Sequence, residues 1–265
     1  MSINAADIYK DIWTIRQQSP LVHNITNYVV MNNTANALLA LGASPVMAHA
    51  VEEVEDMVKI ASALVINIGT LSPVWIQAMF KAAKAAKEKG LPIVLDPVGV
   101  GATPYRTATA RDLLREAVPD IIRGNGSEIM ALSQADVTTK GVDSTSGSGQ
   151  ALESARNLYT VFKSVICITG QTDYVLGQGH IYEINNGHGL MPQVTGLGCT
   201  ATALCGAFAA VNTNPQKACA HAMAVMGIAG EMAAETAKGP GSFQVEFIDA
   251  LYRISEKEIS DYLKV

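Results

Sequence analysis

An α/β fold with a mostly parallel central sheet is the architecture this sequence predicts, and three observations carry it. Short runs rich in Val, Ile and Leu alternate with longer helical stretches, the pattern of βαβ units. Each run ends in polar or glycine residues. Apolar residues make up 49% of the 265, enough for a substantial core. The chain reads as one domain over 1–265, with no internal repeat at solenoid periods and no low-complexity tract.

The first run, ALVINI at 63–68, leads through a glycine to a helix start at Ser72 and Pro73, and an Ala/Lys-rich helix follows to Gly90. PIVLD at 92–96 comes next and stops at a Pro-Val-Gly turn. DIIRGN at 120–125 and SVICIT at 164–169 repeat the theme. YVLG at 174–177 and HIYEI at 180–184, separated by Gln178 and Gly179, read as a hairpin that could carry an antiparallel extension. From there the chain is helical, over 199–211, 215–238 and 243–263. The polar stretch 133–149, rich in Ser, Thr and Gly, reads as a mobile loop.

Charged residues are only 16% and the net charge is -5, so no basic surface points to nucleic acid and no polybasic run to an anionic membrane. Cys167, Cys199, Cys205 and Cys219 show neither a C-x-x-C pair nor zinc-like spacing, which suits reduced thiols in a cytoplasmic protein. The first residues, MSINAADIYKDIW, lack the basic and apolar regions of a signal peptide, and the longest apolar run, 201–211, is too short to span a bilayer. A soluble, cytoplasmic chain is expected. Low charge with many Ala, Gly and Met residues also suggests that apolar surface is covered by other subunits.

Ligands of open α/β sheets bind beyond the carboxyl ends of the strands, so Asp96, the segment from Arg123 to Glu128, and Thr169 with Gly170 should converge on one rim. TGLGCT at 195–200 lies just ahead of a helix of small residues. Its glycines admit a ligand close to the backbone, and free amides at a helix start attract an anion; a tight packing turn is the alternative. Neither a P-loop nor a G-x-G-x-x-G fingerprint occurs. Cys199 falls in the first turn of that helix, where the dipole favours thiolate, although a structural thiol would also fit. Asp96 and Glu128 are carboxylates suited to holding Mg²⁺ through water, or else to capping turns. HNITN at 23–27 and MNNTAN at 31–36 offer amides for a polar heteroaromatic ligand, with PVMA at 45–48 as an apolar wall. The five histidines form no ligand-spaced cluster and receive no role.

Five motifs in order, VHNITN (22–27), ASPVMA (43–48), VLDPV (94–98), RGNGSE (123–128) and VTGLGC (194–199), resemble the hydroxyethylthiazole kinase family of thiamine salvage, and the resemblance runs from end to end. It implies a ribokinase-like three-layer fold without a separate lid domain. It also implies phosphorylation of 4-methyl-5-(2-hydroxyethyl)thiazole by ATP with Mg²⁺, in a homotrimer whose active sites lie between subunits. Carried over motif by motif, Met47 and Gly196 would contact the thiazole, with Asn24 reaching it from the neighbouring chain. Arg123 and Thr169 would contact ATP, Asp96 and Glu128 the metal and phosphates, and Cys199 would stand where ribokinase-like enzymes place an aspartate base. Leu197 and the segment 32–34 depart slightly from the family pattern. A binding protein that has lost its catalytic base, and a cysteine-nucleophile hydrolase, are the alternatives; the hydrolase would need a histidine partner for Cys199.

Overall fold

The computed structural model describes residues 3–136 and 147–265. Eight strands form one sheet: β1 (Leu21–Ile25), β2 (Ser44–Val46), β3 (Ala63–Asn67), β4 (Ile93–Asp96), β5 (Ile121–Asn125), β6 (Val165–Thr169), β7 (Asp173–Leu176) and β8 (Ile181–Ile184). Their order across the sheet is β2-β1-β3-β4-β5-β6-β7-β8. The first six are parallel, and β7 and β8 add an antiparallel hairpin at one edge. All four strands and the hairpin expected from the sequence are present, within a residue of their ends.

Two strands escaped the sequence reading. β1 reads LVHNI, with two polar residues in five, and β2 is only three residues long and contains Pro45. A proline is tolerated there because β2 is the outermost strand, with one side free of ladder partners.

Alternation along the strands divides the core into two layers. Val22, Val65, Val94, Ile121, Val165 and Val175 pack beneath α1 (Ala5–Gln18), α2 (Met31–Leu41), α8 (Leu197–Ala209), α9 (Pro215–Thr236), α10 (Pro240–Arg253) and α11 (Glu256–Tyr262). Their neighbours Leu64, Ile66, Ile93, Leu95, Ile122 and Ile166 pack on the opposite face. That face is covered by α3 (Val54–Ile60), α4 (Pro73–Lys89), α5 (Pro104–Ala117), α6 (Gly126–Asp136) and α7 (Gly147–Phe162). Both faces are dry, which is why the strands read as nearly unbroken apolar runs.

The expected helix over 243–263 is two helices. Ser255 ends α10 and caps α11, accepting from the Lys257 amide while its own amide donates to Glu258. Conversely, 133–136 and 147–149 of the expected polar loop are helical, and 137–146 lie outside the described residues.

α8 and α9 are apolar on nearly every side, and α9 is buried continuously from Ala218 to Gly230. α8 sits across β1, β3 and β4 at close range because Gly206 has no side chain: a Cβ there would lie 2.6 Å from Val65 Cγ2 and 3.1 Å from Val22 Cγ1. Val65 is stiff and held in the sheet, so Gly206→Ala should cost about 1–3 kcal/mol by overpacking. Urea unfolding checks this; an unchanged midpoint would refute the tight helix-to-sheet contact.

Candidate functional site

Asn67, Asp96, Asn125 and Thr169 end four adjacent parallel strands, so one rim collects their polar groups. Over that rim stands the amino end of α8. Gly196 precedes it with φ +86°, and a Cβ at that position would lie 2.7 Å from Val30 Cγ1, so both backbone and space demand glycine. The Thr200 amide already donates to the Gly196 carbonyl at 2.9 Å. Of the amides in the expected segment 195–200, those free to meet an anion are therefore Leu197, Gly198 and Cys199, at the first turn of α8.

Arg123 lies against this helix start. A Cβ on Gly198 would be 3.1 Å from its Nη1, so the second glycine of the motif keeps room for the guanidinium. Arg123 Nη2 donates to Thr169 Oγ1 at 2.9 Å, uniting the two residues expected to bind one ligand. Burial alone would depress the guanidinium, but the charge of Asp96, helped by other neighbours, outweighs it and holds Arg123 above its ordinary value. Arg123, Thr169 and Gly198 line a crevice of about 730 Å³ that Met191, Met223 and Met226 also line. Those methionines were not singled out in the sequence because a methionine in a buried helix usually signals core.

Asp96 is 1% exposed. Its Oδ2 accepts from Asn67 Nδ2 and from Thr202 Oγ1, each at 2.8 Å. Its Oδ1 is buried with no hydrogen-bond partner. Burial, only partly countered by Arg123, pushes its carboxyl up to about 6. Glu128 is held differently: Oε1 accepts from the Gly99 amide at 2.9 Å and Oε2 from the Asn125 amide at 2.8 Å. The Glu128 amide donates back to Asn125 Oδ1, so the capping role weighed for this residue is realised at the start of α6. An unpartnered carboxylate oxygen at Asp96 and the remaining lone pairs of Glu128 are the hard donors a divalent cation such as Mg²⁺ takes.

Cys199 is the one cysteine of the four that is only partly buried. Asn27 Nδ2 approaches its sulfur at 3.4 Å. Burial first, and the Asp96 charge second, push the thiol up to about 11, so at neutral pH it is a neutral thiol and the thiolate expected from the helix dipole is not formed. No histidine is bonded to it among the described residues, which removes the partner a cysteine hydrolase would need.

Two expected residues lie on or just after the strands at the other edge of the sheet. Met47 follows the edge strand β2 and is half-buried. Asn24 is wholly enclosed in its own subunit, its amide donating to the Val22 carbonyl at 2.9 Å, so the expected reach into a neighbouring chain is closed to this conformation. Asn27, Asn67 and Thr202 were not assigned by sequence; Asn27 belonged to a recognised motif, but nothing local marks its side chain as facing a thiol 172 positions away.

A mostly parallel sheet between two helical layers, with a helix start over the strand ends, is a ribokinase-like architecture. A ribokinase-like superfamily protein from Enterococcus faecalis superposes with a TM-score of 0.62 at 15% identity, covering 87% of this chain and 86% of that one, which establishes the fold. Residues 12–257 match the Hydroxyethylthiazole kinase family, and the chain belongs to that family. It is 59% identical to the hydroxyethylthiazole kinase of Syntrophus aciditrophicus over 266 residues, all of this chain and 98% of that one. The hydroxyethylthiazole kinase structure from Pyrococcus horikoshii superposes with a TM-score of 0.91 at 47% identity, covering 98% of both chains. The chain is thus a kinase, with ATP as co-substrate. No helix among the described residues is long and apolar enough to cross a membrane.

Asp96 ties the site to stability. With a folded-state value near 6 against an ordinary 3.8, the folded protein holds its proton more tightly than the unfolded chain does, so this group's contribution worsens as pH rises from about 4 to about 6 and is level above. Relative to the parent protein, the stability of Asp96→Asn should therefore become more favourable by up to about 3 kcal/mol between pH 4 and pH 8, while activity is impaired. A gain that does not grow with pH in calorimetry would contradict the assignment.

Proposed function

We propose that the chain transfers the γ-phosphoryl group of ATP to the primary hydroxyl of 4-methyl-5-(2-hydroxyethyl)thiazole, with residues 1–265 acting as a single catalytic domain. The observation that carries this reading is the meeting of the α8 amides, Arg123 and Thr169 at one end of a crevice large enough for a nucleotide.

ATP would lie along the crevice, with Arg123 and Thr169 contacting its phosphates. The hydroxyl attacks the γ-phosphorus in line as the bond to the β-phosphate oxygen breaks, ADP leaves, and the hydroxyl proton passes late to an oxygen of the transferred phosphoryl group. Charge developing on the transferred group falls toward the amides of Leu197, Gly198 and Cys199 and toward Arg123, groups already oriented before the reaction. Mg²⁺ would be held by Asp96, whose buried Oδ1 is unpartnered, and through water by Glu128; when bound it supplies positive charge to the phosphates.

The loose transition state sets the requirement on Cys199. Little proton transfer is needed before the phosphoryl bond has largely broken, so the neutral thiol need only accept a hydrogen bond from the hydroxyl and point its oxygen at phosphorus. Gly196 and Met47 would contact the thiazole, and Gly196 packs on Val30. Asn24, enclosed as it is, would support the end of β1 and not touch substrate.

A homotrimer with sites between subunits fits the surface beside this end of the crevice. Tyr28 is 63% and Val29 62% exposed shortly after β1, and the rings of Tyr28 and His49 each meet Trp75 at a tilt. A cytoplasmic location accords with four free cysteines.

A coupled ADP-release assay with the thiazole alcohol, ATP and Mg²⁺ tests the reading. Protein that binds both compounds but forms no ADP would leave only a binding role. Cys199→Ala should lower kcat by about 10- to 100-fold with little change in KM, whereas Cys199→Asp, which supplies an acceptor, should keep or raise turnover. Loss confined to KM in Cys199→Ala would sink the orienting role. Sedimentation should return a trimer; an active monomer would refute the shared site.

A further inference from the structure

We propose that Asn27 and Asn67 are positioning residues for the phosphoryl acceptor: Asn27 gives one amide hydrogen to Asn67 and the other to Cys199, and the pair together holds the thiol in the direction of the hydroxyl to be phosphorylated. The proposal rests on the kinase reading of the site.

Asn27 Nδ2 lies 2.9 Å from Asn67 Oδ1 and 3.4 Å from Cys199 Sγ, which uses both of its hydrogens. The orientation of each amide is fixed by its other bonds. Asn27 Oδ1 accepts from the Val29 amide at 3.1 Å. Asn67 Oδ1 also accepts from the Gly69 amide at 2.9 Å, and Asn67 Nδ2 donates to Asp96. Flipping either amide would set oxygen against oxygen or nitrogen against nitrogen, so the polarity of the chain runs one way.

Space is reserved for this arrangement. A Cβ on Gly69 would stand 2.6 Å from Asn27 Nδ2. Both asparagines are buried, at 4% and 1% exposure. Caps and turns do not require a buried amide chain that links the ends of β1, β3 and β4 to the first two turns of α8 through Cys199 and Thr202.

The Asn27 amide donates to the sulfur and the Asn67 amide also stands against it, so the two side chains fix the direction of the thiol even though it is uncharged. The charged groups facing it are Asp96 from β4 and Arg123 from β5, which act in opposite senses. Direction is therefore what the asparagine pair adds.

The experiment is a double-mutant cycle on the full chain. Asn27→Ala should lower kcat about tenfold and leave KM for the thiazole alcohol within about twofold. In a Cys199→Ala background the same change should cost less than about twofold, because the sulfur it positions is gone. Asn67→Ala should behave alike at smaller amplitude, about threefold, and carries the test if Asn27→Ala does not fold. Equal losses with and without Cys199, or losses carried by KM, would overturn the proposal.

A second arm needs no turnover. Asn27→Asp keeps the side chain's size and removes both hydrogens, so iodoacetamide should modify Cys199 at pH 9 several-fold more slowly than in the parent protein; the other three cysteines are buried. An unchanged rate would overturn the Asn27 to sulfur contact. Absence of ADP formation by the parent protein, with this rate slowed, would instead fault the kinase reading alone.

Discussion

The site depends on how closely α8 lies on the sheet. Helix and sheet normally stand apart by the depth of two layers of side chains, but Gly206 and the alanines of this helix bring its axis down onto Val22 and Val65. The approach sets the helix's amino end level with the carboxyl ends of β3, β4 and β5, so Thr202 bonds to Asp96, Cys199 meets Asn27, and Gly198 leaves room for Arg123. With a larger residue at 206 the helix would ride up and these three contacts would loosen together.

Such a position has an electrostatic cost. Asp96 is taken out of water, given two donors on one oxygen and none on the other, and balanced only in part by Arg123. A stability-optimised core would carry a neutral residue there, since well-packed apolar or neutral groups commonly match or exceed a buried charge. Under the proposed function a cation and phosphates would complete the bonding of this half-satisfied carboxylate, offsetting its cost to the fold.

The sheet was legible from sequence wherever a strand was buried on both faces and long enough to show it; 63–68 and 164–169 are examples. β1 was hidden because its polar residues serve the fold from within, His23 to the Ala48 carbonyl and Asn24 to Val22. The break at Ser255 was written in the sequence as Ser-x-x-Glu, but a continuous apolar periodicity on either side masked it. For the site, motif order supplied Arg123, Thr169, Asp96 and Cys199. It could not supply Thr202 or Asn67, whose meaning arises from a partner about 30 to 100 positions away. Nor could helix position alone give the state of Cys199: the dipole favours thiolate by a modest amount at a helix start, and burial beside Asp96 reverses it.

The charge balance explains why the positive field is built from backbone amides. The chain carries 24 acidic against 19 basic side chains, so its long-range field does not draw in a nucleotide. Attraction must come from groups that act at contact distance. A lysine-rich rim would do this at the expense of freely rotating side chains, which lose entropy on binding and hold a transition state loosely. Amides at the start of α8 lose nothing further, because Gly206 and the apolar faces of the helix have already fixed them. Under the proposed function one guanidinium, tied to Thr169 and facing Asp96, would add a side-chain charge that its tether holds beside the helix start.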